Sequence, residues 1–271
     1  MTADELLRAG RPADALVVLQ SEIKKRPADP KLRIFLFQLL LVMGQWERAL
    51  TQLKLISELD PAALPMGQTY RELVQCELLR REVFAGRQTP VLFGEPAEWM
   101  ALLVRALHLG AQGNLEEEGR VREQAFGQAP ATTGTVDGQS FSWIADADPR
   151  LGPILESILN GRYYWIPFER LSKIEIEKPA DLRDIAWLPA ALTFTNGGQS
   201  VAFVPTRYPG SEQASDPRLV LARSTEWSQP GVGPQRGLGQ RLFATDGGEY
   251  PIMDVRLIEL EAPASAASPS G

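Results

Sequence analysis

This chain of 271 residues has only one cysteine and one histidine. The single cysteine, Cys76, excludes an internal disulfide and suits a reducing compartment. Any Ser–His–Asp triad or histidine-bearing zinc site would have to use His108. His108 lies in a helical apolar run with Leu102, Leu103, Ala106, Leu107 and Leu109, where packing accounts for it. No apolar run approaches the roughly 18–20 residues that cross a bilayer. The longest, residues 34–43, is broken by Gln38. Residues 1–5 are acidic overall and lack the positive start and apolar centre of a secretory signal. A cytoplasmic protein without membrane insertion is therefore expected. Positive charge is also in deficit: 28 Lys and Arg face 34 Asp and Glu, for a net charge of −6. That balance argues against a nucleic-acid partner. The short basic runs Lys24-Lys25-Arg26 and Arg80-Arg81 read as solvated helix charges.

Signatures of chemistry are equally sparse. The glycines at 231, 233, 237 and 239 miss the spacing of a dinucleotide-binding loop, and no helix is predicted after them to receive a phosphate. They read as a surface loop. Asp146, Asp148, Asp181 and Asp184 could be imagined around a metal. Helix capping and local ion pairs explain them, so neither a metal nor a cofactor is expected. Cys76 has no predicted cationic neighbour to favour a thiolate and reads as a buried structural residue.

What the sequence does contain is a repeat. Gly10, Ala15, Leu16, Leu19 and Pro27 return in order as Gly44, Ala49, Leu50, Leu53 and Pro61. This 34-residue period is that of tetratricopeptide-type helix pairs. Residues 1–128 accordingly read as a tetratricopeptide-like helical domain with a truncated first unit and irregular later ones. Stacks of this kind hold other polypeptides in a groove lined by first helices. By position, the groove residues here would be Lys31, Ile34, Gln38, Leu41 and Val42. The competing reading is that Ile34, Leu41 and Val42 simply complete the core.

Beyond residue 128 the texture changes. Residues 129–142, rich in Thr, Gly, Ala and Pro, read as a linker, and 151–159 as one short helix stopped by Asn160-Gly161. Strand patterns follow at 163–168, 171–177, 192–204 (around a hairpin at Asn196-Gly197-Gly198), 218–223, 241–245 and 250–261. The expected class is α+β with two domains. The second, residues 143–261, is mainly antiparallel, a small barrel or rolled sheet with a short helix. Residues 262–271, rich in Pro, Ala and Ser, read as a disordered tail.

Two segments look over-specified for packing: 160–170, with Arg162, Tyr164, Trp165 and Glu169, and 205–212, with Arg207, Tyr208 and Glu212. Arginine, aromatic and acidic residues beside prolines form either an interface or a buried network. A third reading brings Arg162, Tyr164, Glu169, Arg207, Tyr208 and Glu212 into one polar pocket of a ligand-binding or enzymatic module.

These segments, with 143–153 (Trp143, Asp146, Asp148, Arg150), 181–184, 187–190, 70–73 and 81–86, resemble the ImpE/SciE/TagJ family of type VI secretion accessory proteins over residues 5–260. The resemblance implies a non-enzymatic accessory of the contractile secretion machine. It also implies two partners: an N-terminal helix of the small sheath subunit, and the ClpV-type AAA+ ATPase that recycles contracted sheath. It supplies no catalytic residues. A homo-oligomer without any peptide groove is the remaining alternative.

Overall fold

The computed structural model describes residues 1–261, so the expected tail at 262–271 lies outside the described residues. Helices α1 (Ala3–Arg8) and α2 (Pro12–Lys25) form one pair, α3 (Pro30–Val42) and α4 (Trp46–Leu59) the next. Thr2 and Glu5 make a reciprocal capping box at α1, and Asp29 caps α3 ahead of Pro30. Gly10 and Gly44, at φ of 75° and 64°, turn each pair in the left-handed region where glycine is favoured. Ala15, Leu19, Ala49, Leu53 and Ile56 are fully buried, so the repeated positions are the packing positions. The longer α5 (Leu64–Phe84) follows, then the pair α6 (Glu98–Ala111) and α7 (Leu115–Gln128).

A very short strand, β1 (Val91–Leu92), sits between α5 and α6. The other strands are β2 (Gly134–Val136), β3 (Gln139–Phe141), β4 (Ile144–Asp146), β5 (Ile154–Leu159), β6 (Arg162–Pro167), β7 (Leu171–Ile176), β8 (Trp187–Phe194), β9 (Gln199–Pro205), β10 (Thr225–Ser228), β11 (Arg236–Gly239), β12 (Leu242–Thr245), β13 (Gly248–Pro251) and β14 (Leu257–Leu260). One nine-stranded sheet has the order β1-β6-β5-β9-β8-β7-β14-β2-β3. Its pairings are antiparallel except for β1 on β6. Its two edges, β1 and β3, do not meet, so it is an open, rolled sheet and not a barrel. A three-stranded sheet, β13-β12-β4, and the ribbon β10-β11 complete the strand-rich half.

Several expectations need correction. Residues 151–159 do not form a helix: Ile154–Leu159 is a central strand, buried at every position. Ile154 and Ile158 pack with the helical half, while Leu155 and Leu159 pack into a second core. Burial on both faces erases the alternation that would have marked a strand. Asn160 and Gly161, both at positive φ (47° and 70°), form the tight β5–β6 turn and do not stop a helix. Residues 129–142 are not a linker either. They supply β2 and β3, joined at Asp137-Gly138, with Val136 and Phe141 buried. The strand expected at 218–223 is instead a helical turn, α8 (Pro217–Val220), capped by Asp216. It is this turn that supplies a short helix in the second half.

The change of texture near residue 128 does not divide the core. One buried cluster runs from Ala3 through Leu107 and on to Ile154, Ile158, Tyr163, Trp165, Trp187 and Leu221. Trp46 of α4 lies against Trp187 of β8 and Phe84 of α5 against Trp165 of β6, each with ring centroids 6.2 Å apart.

Gly161 is a sensitive point in this junction. A Cβ there would lie 2.6 Å from Glu72 Oε2 of α5, in a backbone conformation that disfavours side chains. Gly161→Val should therefore lower unfolding free energy by about 2 kcal/mol or more, whereas Asn160→Gly should be tolerated. Urea denaturation of both variants checks this.

Candidate functional site

The junction between helices and sheet is built around Glu156, an acidic residue in the middle of a fully buried strand. Arg80 of α5 grips it with Nε and Nη2, at 2.8 and 2.9 Å. Arg80 also donates to Glu77 and to the Arg207 carbonyl, each at 2.9 Å. From the other side Arg241 donates to Glu156 and approaches Asp146 at 3.1 Å. The Tyr163 hydroxyl donates to Glu156 and receives the Trp165 indole N–H at 2.7 Å.

Burial opposes ionisation of Glu156, yet Arg80 and Arg241 outweigh it and hold the carboxyl down at about 2. Asp146 fares differently: burial pushes it up to about 7 against the weaker pull of Arg241. Tyr163, buried beside an anion, is raised well above the usual phenol range. Cys76 is pushed up to about 12 by burial, and its thiol donates to the Gly161 carbonyl at 3.2 Å.

Other arginines cap helix ends across the junction. Arg207 donates to the carbonyls of Val42 and Val220, the last residues of α3 and α8. Arg223 reaches Leu7 and Arg8 at the end of α1, at 2.9 and 3.0 Å. Helix C-termini carry unsatisfied carbonyls and partial negative charge, so a guanidinium satisfies both needs. Burial pulls Arg207 down to about 10, which leaves it cationic at neutral pH.

The groove residues expected on α3 are largely sealed. Leu41 and Val42 are fully buried, Ile34 and Gln38 are half-buried, and only Lys31 is exposed. The chain's own turn at Leu182–Ile185 packs on this helix, and Arg207 covers its end. Leu41 and Val42 therefore have no surface to offer a partner.

Nor do the six polar-pocket residues converge. Arg162 is exposed, and Tyr164 packs edge-on against Phe93 in the second core. Glu169 and Glu212 are half-buried. Arg207, Tyr208 and Trp165 are buried, with Tyr208 bonded to the Leu242 backbone. Arg80, expected as a solvated helix charge, is instead buried against Glu156; Tyr163 lies within the 160–170 segment, and Glu156 and Arg241 drew no expectation from sequence. The legible signal was an acid inside an apolar run, Ile154–Leu159. Asp146 and Asp148 cap no helix; Asp148 instead pairs with Arg150 and accepts the Gly237 N–H at 2.9 Å. Among the described residues no cluster of His, Cys, Asp and Glu could hold a metal ion.

Two of the open concavities lie where distant segments meet. One is an apolar trough of about 460 Å3 whose walls include Phe126, Pro130, Trp143, Ala145, Pro149 and Pro153. Phe126 lies over Gly152, where a Cβ would meet its ring at 2.4 Å. Phe126 and Trp143 stand at 39% and 40% exposure, high for aromatic side chains. The other is a charged cleft of about 360 Å3 on the junction, lined in part by Trp46, Arg81, Phe84, Arg150, Gly210 and Glu212.

Comparisons with known proteins agree with this architecture. A family model described as ImpE protein matches residues 138–259, and a tetratricopeptide-repeat model matches residues 6–68. The type VI secretion system accessory component TagJ of Pseudomonas aeruginosa is 53% identical over 261 residues, covering 96% of this chain and 92% of its own. The crystal structure of protein VPA1032 from Vibrio parahaemolyticus superposes with a TM-score of 0.88 at 26% identity, covering 96% of this chain and 97% of that one.

Two stability measurements probe the junction. Glu156→Gln removes the carboxylate that two buried guanidinium groups share and should cost about 3–5 kcal/mol in urea unfolding. Asp146 acts with the opposite sign to an ordinary paired carboxylate. Its folded value of about 7 lies above the unfolded one, so folding retains a proton that the unfolded chain has released. Its stabilising contribution is complete below the usual carboxylate range and is lost as pH rises through about 7. Glu156, held near 2, changes only at much lower pH. Asp146→Asn should thus flatten the fall in urea midpoint between mildly acidic and neutral pH.

Proposed function

The chain belongs to the ImpE/SciE/TagJ family of type VI secretion accessory proteins, and from this membership we propose a protein-binding adaptor that serves the contractile sheath. The observation that carries the reading is the 53% identity to TagJ across nearly the whole chain. In this reading the adaptor holds an N-terminal helix of the small sheath subunit and brings the sheath to its ClpV-type ATPase.

The trough at Phe126 and Trp143 is the receptor for that helix in this proposal. Its walls are apolar, it lies open, and its two half-exposed aromatic rings have the character of interface anchors. The apolar face of an amphipathic helix fits such a surface, with affinity arising from burial after ordering costs. The 143–153 segment that forms much of the wall is also among those that carry the family resemblance. The α3 face is unsuited to the role because the chain's own second half covers it. No helix among the described residues is long and apolar enough to cross a membrane.

The test uses the full chain and a labelled peptide spanning the sheath subunit's N-terminal helix. Trp143→Asp and Phe126→Ser should each weaken binding by about tenfold or more while leaving the thermal midpoint nearly unchanged, because both side chains are substantially exposed. Ile34→Asp, on the covered helix, should leave the affinity of the folded protein unaltered. Undiminished binding by a Phe126/Trp143 double variant would remove the helix from this trough.

A further inference from the structure

The charged cleft is where side chains from distant parts of the sequence meet without being used up by one another. Arg81 and Phe84 come from the end of α5, Arg150 from the loop before β5, and Gly210 and Glu212 from the turn after β9. All three segments lie among those that looked over-specified or carried the family resemblance, and neither the core nor the trough explains why they converge.

Arg150 is the central observation. Its side chain is only 9% exposed and its guanidinium lies 5.0 Å from the Phe84 ring centroid. Nε and Nη2 are spent on Asp148. Nη1 makes no hydrogen bond among the described residues, and Arg150 is one of the residues that line the cleft. A buried, oriented guanidinium with one amino group left over is a built donor. Arg81 supplies a second. It is half exposed, and its nearest carboxylate, Glu82, is 3.8 Å away, beyond hydrogen-bond range.

The acids nearby are mostly committed. Glu77 accepts from Arg80 and from the Trp187 indole, and Glu156 sits between Arg80 and Arg241. Arg207, whose carbonyl accepts from Arg80, bonds carbonyls and has no carboxylate within ion-pair distance among the described residues. Glu212 is the remaining acid of the cleft; its stem packs on Gly44, and it forms no ion pair among the described residues. Arg150 Nη1 and the half-exposed Arg81 are therefore the guanidinium groups of the cleft with hydrogen-bonding capacity left.

We propose that this cleft binds a carboxylate of an acidic protein segment, with Arg150 and Arg81 donating to its oxygens. Pro209 and Gln213, half-buried and exposed, provide contact area for the flanking peptide above the buried Trp46. The site is separate from the trough, so it stands or falls independently of the helix-binding reading.

The test is a side-chain nitrogen–proton NMR titration of the full chain with acetyl-Ala-Glu-Glu-Ala-amide. Saturable shifts are expected at the Arg81 and Arg150 Nε–H and Trp46 indole N–H signals, weakening several-fold as salt rises from about 0.01 to about 0.15 M. Arg81→Glu should weaken binding by about tenfold or more, and Glu212→Gln should strengthen it. Arg150→Lys, which keeps the charge near Asp148 but removes the fork, should also weaken binding while the spectrum remains that of a folded protein. Three results would overturn the proposal: no shifts at millimolar peptide, equal shifts with an all-alanine peptide, or unchanged affinity in Arg81→Glu. Succinate or inorganic phosphate binding as tightly as the peptide would overturn the assignment to a protein segment.

Discussion

A carboxylate with almost no contact with solvent organises this molecule. Glu156 projects from a central strand into the junction between helices and sheet, and Arg80 and Arg241 close on it from opposite sides. A buried ion network of this kind is weak evidence for net stability, since desolvation offsets much of the attraction. Its value lies in geometry. With three charged groups to satisfy at once, α5 has one acceptable seat on β5, and the Arg207 and Arg223 caps then orient α3 and α1 around that seat. The helical repeats become a lid on the sheet, and their inner face is spent on the chain's own core.

The sequence revealed most where local rules dominate. The helix pairs, their glycine turns and the hairpin at Asn196-Gly197 all follow from short-range pattern. The failures share a physical cause. Ile154–Leu159 was misread because tertiary burial on both faces removed its period, and Asn160-Gly161 serves a tight strand turn as readily as a helix end. β2 and β3, at three residues each, are too short to show alternation among their threonines and glycines.

The functional surfaces were harder to foresee for a related reason. Repeat logic assigns the concave face to a guest, but that logic assumes a solenoid standing alone. Here Leu182–Ile185 and Arg207, more than a hundred residues away in sequence, occupy that face. The two proposed surfaces lie at joints: Phe126 at the end of α7 beside Trp143, and Arg81 near the end of α5 with Arg150. Each pairing is non-local, so neither spacing nor composition announces it.

The two-residue strand β1 carries a wider consequence. Val91 and Leu92 leave the helical array between α5 and α6, line up in parallel with Tyr164 and Trp165, and return. That excursion stitches the repeats to the sheet's edge from within, and it adds to the buried cluster the two halves share. Exchanging the front half for an unrelated helical array would remove this parallel pairing together with the shared cluster.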